Sequence, residues 1–185
     1  MDPLAFQWHP EVWLLVGFLT GAYIYMVRVI GPRAVPAGQP VLSRMNVIAF
    51  PLAMLMLWIA SDWPLHDISE EYLYSAHMIQ HTVIGGFAPL LLLLGIPPGT
   101  AERMLSPVTV RRLQRVQHPA VAFSVWTLST LVWLIPSVHH QVLTTPSLWV
   151  LQQLSFLVIG TLMWMPVVER VPAPDWFGTG WKGTY

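Results

Sequence analysis

Residues Tyr72–Gly95 read YLYSAHMIQHTVIGGFAPLLLLLG. The run is long enough to cross a bilayer core as a helix, which takes about 20 apolar residues. Two imidazoles, His77 and His81, sit in its first half. Working outward, four similar runs lie at about Val12–Ile30, Met45–Trp63, Ala120–Pro136 and Leu148–Val168, making five in the 185-residue chain. The chain is 55% hydrophobic and only 10% charged, with ten Trp and a mean hydropathy of +0.56, more apolar surface than one soluble core of this size would bury. Open strands cannot span lipid, and no alternating ten-residue segments suggest a barrel. The expected class is therefore all-α: a polytopic membrane bundle of five transmembrane helices in one domain, residues 1–185. Gly31-Pro32, Trp63-Pro64, Gly95-Ile96-Pro97-Pro98-Gly99, His118-Pro119, Pro136 and Pro146 punctuate the spans. No basic n-region precedes the first span and no small-residue cleavage site follows it, so it is expected to stay in the mature protein.

Charge sets the expected orientation. Arg28, Arg33 and Arg44 flank the first loop, Arg103, Arg111, Arg112 and Arg115 fill the third, and Arg170 and Lys182 follow the last span, which accounts for all nine Lys and Arg. Basic residues gather in short cytoplasmic loops, so the N-terminus is expected outside and the C-terminus inside. The second loop is acidic, with Asp62, Asp67, Glu70 and Glu71. Trp8, Trp13, Trp63 and Trp149 would mark the outer boundary, and Trp164, Trp176 and Trp181 the inner one. Net charge is zero without a basic block, so nucleic acid is not an expected partner. Cysteine is absent, which leaves His, Met, carboxylate or carbonyl groups for any metal site.

In that orientation His9, His66, His77, His81, His139 and His140 all fall in outer segments, and only His118 is cytoplasmic. Positions i and i+4 share a helix face, so His77 and His81 can aim at one ion. Asp67 and Glu70 resemble a capping box that would start this helix outside the membrane. Gly85-Gly86 would let a neighbouring helix approach closely beneath the pair. The competing reading is that each imidazole hydrogen-bonds Ser, Thr, Gln or Tyr on adjacent spans. His139 and His140, just beyond Pro136, are candidate further ligands in a position where exposure is the default. His9 and His66 are expected in wet loops, and His118 as a helix cap. Gln152-Gln153, at a similar depth to the pair, can bond or orient an imidazole. Imidazoles without thiolate suit copper or zinc; haem would require a histidine opposite the pair. Nucleophile-elbow, phosphate-loop and H-E-x-x-H patterns are all missing, so no enzyme is expected.

The stretches DWPLHDISEEYLYSAHMIQHTVIGGFAPLLLLLGIPP (62–98), HPAVAFSVWTLSTLVWLIPSVHHQVL (118–143) and LWVLQQLSFLVIGTLMWMPV (148–167) resemble the CtaG family associated with caa3-type cytochrome c oxidase assembly. The shared features are an acidic lead-in, a His-Met-x-Gln-His core, Ala-Pro before a leucine run, and a closing Gly-x-Pro. The resemblance implies a multi-pass assembly factor or chaperone of the respiratory chain in a bacterial plasma membrane. It implies oxidase subunits as partners and help with the copper centre from the outer side. Carried onto this chain, it makes His77 and His81, with His139 or His140, the metal ligands and copper the ion. Where the family pattern has Glu-His near the start of the fifth span, this chain has Gln152-Gln153. Family members also have further spans, so the resemblance implies that the last helices are lacking here. The alternative is a structural accessory subunit or scaffold of a respiratory oxidase, without metal; a small haem or metal redox enzyme is the third class.

Overall fold

A computed structural model describes residues 9–35, 38–62 and 74–168. Among these residues every regular element is a helix and none is a strand, the outcome expected of a chain whose apolar runs must satisfy their backbone groups internally. Four helices are long and apolar enough to cross a membrane, and a fifth span exists if one bent pair is counted as a unit.

Helix α1 runs Pro10–Ala34. Pro10 occupies a first-turn position that needs no N–H, and Glu11 complements the positive helix start. Helix α2, Arg44–Ser61, begins at a reciprocal cap in which Ser43 and Asn46 bond each other's backbone N–H groups. Asn46 is buried and also donates to the carbonyls of Leu94 at 2.8 Å and Ile96 at 3.2 Å, tying the start of α2 to the end of the third span. That span, α3, covers Ser75–Gly95. A π stretch, Val83–Phe87, interrupts it just below the histidine pair; such bulges cluster at functional sites. The acidic cap expected at Asp67 and Glu70, and His66, lie outside the described residues.

Short helices α4 (Thr100–Met104) and α5 (Pro107–Val116) follow. Gly99 precedes α4 at φ 76°, left-handed backbone that glycine adopts without strain. Ser106 caps α5 through the Thr109 N–H at 3.2 Å. The exposed Arg111, Arg112 and Arg115 give α5 the character of a helix lying along a membrane surface.

The fourth span differs from expectation. Helix α6 (Pro119–Leu134) stops before Ile135, whose backbone is extended, and α7 (Pro136–Thr144) restarts at a 72° bend. The physical cause is Pro136: it disfavours helical backbone at the preceding residue yet opens a new helix well. His139 and His140 therefore ride on a helix. Helix α8, Pro146–Val168, is the last described element.

In the packing, α3 lies between α2 and α8, α6 and α7 lean on α8, and α1 packs at the side of α2. The core joins Phe50, Ala53, Leu57 and Ala60 of α2 to Ile84 and Ala88 of α3 and Phe156 and Leu157 of α8. The expected close approach occurs at Gly85, where the backbone of α8 crosses at Gly160. Leu14 and Phe18 of α1 are about three-quarters exposed, at 74% and 72%, as suits a helix facing lipid.

Candidate metal centre

The site forms where the first turns of α3 meet α7 and α8. On α3, the i, i+4 spacing brings the Nε2 atoms of His77 and His81 to 2.7 Å, with the rings crossed at 87°. The bend at Pro136 carries His139 in from α7, its ring centroid 5.0 Å from that of His77. Phe156 of α8 closes the other side, 4.5 Å from the His81 ring. Three imidazoles thus share one pocket of side chains while the adjacent His140 is exposed. Only the bend distinguishes the two neighbours, and nothing in their sequence does.

The polar groups around this cluster are deeply buried. His77 is 7% exposed, and Gln80 and Gln152 are 1% each. Gln152 shares a helix face with Phe156, one turn away, and both atoms of its amide are buried without a hydrogen-bond partner, as is Nδ1 of His81. Burying such groups unpaired costs about 1–3 kcal/mol apiece. The stripe Gln152, Phe156, Gly160 is legible in the sequence at a spacing of four; its meaning depends on α3 being the facing helix. Phe156 was not among the expected site residues.

The His77–His81 contact is a direct hydrogen bond, in which one Nε2 donates and the other accepts. Among the described residues no group of three or more His, Asp or Glu is arranged to hold an ion as it stands. The chemistry of the donors nonetheless fits a borderline metal. With nitrogen–metal bonds of about 2.0–2.1 Å, two tetrahedral ligands stand about 3.3 Å apart. The two rings would therefore need to part by about 0.6 Å from their 2.7 Å contact, a side-chain adjustment without backbone movement.

The other histidines correct their expectations. His9 is not in a wet loop: its Nδ1 lies 3.0 Å from Oδ1 of Asp62, a fully buried carboxylate at the end of α2. A negative group at a helix C-terminus is disfavoured by the helix dipole, which the imidazole offsets. His118 stands at the start of α6 but its side chain makes no cap hydrogen bond. Trp149, at the start of α8, is buried against Val12 and Val142.

A family model for the cytochrome c oxidase caa3 assembly factor matches residues 21–185, and so covers every described element from the middle of α1 onward. The chain belongs to the caa3 oxidase assembly factor family. No curated protein and no solved structure matches it. Within the family match lie His77, His81, His139, His140 and Gln152; His9 lies before it. The helices long enough to span a bilayer make this member of the caa3 assembly factor family a membrane protein.

Proposed function

We propose that this assembly factor helps mature the copper centre of its oxidase by holding a copper ion transiently between His77, His81 and His139, from the extracytoplasmic side, as a carrier without turnover. The observation that carries the reading is the contact of three imidazoles from two helices, His81 and His139 each packed against the buried His77, in a chain without thiolates. Copper is the cargo here. Neutral imidazole is a good ligand for it, and the unpaired Gln152 amide offers an additional oxygen or an orienting hydrogen bond. The site lies at the end of the bundle opposite the arginines, and the positive-inside pattern supports reading that end as the outer one. His140, exposed beside His139, is a candidate for the hand-over step at the surface. The partners are oxidase subunits within a bacterial plasma membrane.

The test is a strain carrying the His77→Ala, His81→Ala variant. Oxidase polypeptide should be present with copper well below stoichiometric, and purified variant protein should retain no copper where wild type retains one ion. Normal copper in the oxidase would exclude the metal role. A second reading, a structural accessory subunit, draws on the direct His77–His81 hydrogen bond, which satisfies both Nε2 atoms without an ion. It would be supported by co-purification with mature oxidase at fixed stoichiometry and no bound metal.

A further inference from the structure

An apolar cavity of about 400 Å³ runs between α1 and α8, floored by α2 and α3, at the arginine-bearing end of the bundle. Leu19 and Met26 of α1, Phe50 of α2, Leu93 of α3, Met104 of α4 and Leu162 of α8 are among its walls. Two of the lining residues, Tyr23 and Thr161, carry hydroxyl groups, and both are already bonded, Tyr23 to the Asn46 carbonyl at 3.4 Å and Thr161 to the Leu157 carbonyl at 2.7 Å. Both hydroxyls thus spend their protons elsewhere and the rest of the lining is hydrocarbon or thioether, a poor site for water and a good one for an apolar chain. The cavity opens sideways past Val158 and Met104, which are 56% and 52% exposed, toward what is hydrocarbon for a spanning bundle.

Charge marks its lower end. Arg28 lies two residues beyond Met26, and Arg103 precedes Met104; α4 packs directly on the Met26–Ala34 part of α1, so both exposed arginines belong to the elements at this end of the cavity. The ion pair found among the described residues, His9–Asp62, is at the opposite end of the bundle. Gln117, 1% exposed, reaches Sδ of the lining residue Met165 at 3.5 Å through its Nε2, and its Oε1 is buried without a partner. An apolar slot for a chain, backed by Met165 and the buried Gln117 amide, with exposed cations on the elements at its lower end, matches a lipid with an anionic headgroup.

We propose that this cleft holds an acyl chain of one anionic glycerophospholipid whose phosphate lies against Arg28 and Arg103. The lipid would fill the gap between α1 and the rest of the bundle, so it acts as a structural ligand independent of the histidine site. The experiment is native mass spectrometry of the full chain released from nanodiscs containing equal phosphatidylglycerol and phosphatidylcholine. Wild type should retain one phosphatidylglycerol in preference. A basic residue near an anionic surface contributes about a five-fold effect, so Arg28→Gln with Arg103→Gln should reduce that preference roughly 25-fold. Ala22→Trp, which fills the cavity from an exposed lining position, should abolish retention of both lipids while circular dichroism stays helical. Equal retention of the two lipids by wild type, or unchanged retention in either variant, would overturn the proposal. So would a photoreactive group at Val158 that captures a polypeptide where a lipid is expected.

Discussion

Replacing Gly160 by alanine tests the helix crossing on which the site depends. A Cβ at Gly160 would overlap the carbonyl oxygen of Gly85 and stand 2.8 Å from Cγ of Pro89. Neither neighbour is a flexible side-chain end, so the helices themselves must part, by roughly 1 Å, to restore ordinary contact. Overpacking of this kind costs about 1–3 kcal/mol, and a backbone collision belongs at the upper end. Alanine's better helix propensity returns about 1 kcal/mol, leaving a net loss of about 2 kcal/mol. At about 2–4 °C per kcal/mol for a chain of this size, Tm should fall by about 4–8 °C, followed through tryptophan fluorescence in one detergent. Gly86 is the control: a Cβ there meets nothing within 4 Å, so Gly86→Ala should leave Tm unchanged or raise it slightly. Parting α8 from α3 also draws Phe156 from His81, so copper retention should weaken in the first variant and hold in the second. The crossing argument fails if Gly160→Ala melts at or above wild type, or if both alanines shift Tm alike.

Three further outcomes follow from the same geometry. His139→Ala should weaken copper retention about 10- to 100-fold, the scale on which losing a site partner acts, while His140→Ala leaves equilibrium retention unchanged; competition with a chromophoric chelator separates the two. Gln152→Leu removes an amide with no partner on either atom, so the metal-free protein should gain about 1–2 kcal/mol in thermal or denaturant unfolding; a loss would mean the amide is satisfied in the native protein. His9→Ala strands the buried Asp62 carboxylate and should cost about 3 kcal/mol. Adding Asp62→Asn should restore most of that, and a double mutant no better than the single would place the cost elsewhere.

The spans were legible because each apolar run fixes its own backbone: a helix is the one structure that closes every hydrogen bond within a single segment in lipid. The same local logic made His77 and His81 readable as a pair, since i, i+4 spacing is enforced by the helix itself. It also flagged Gly85, though the partner at Gly160 was not evident from α3 alone.

What the sequence could not decide lies between helices. Pro136 announces a break, yet whether the chain after it frays into solvent or turns 72° and lays His139 on His77 depends on the surface that α8 presents. His9 reads as a loop residue until the start of α1 is set against the end of α2, where Asp62 is buried and needs a proton-bearing neighbour. Local periodicity assigns each side chain to a face. The facing partner, and hence the third imidazole, is chosen by how rigid helices pack, a property of the whole bundle that no single segment encodes.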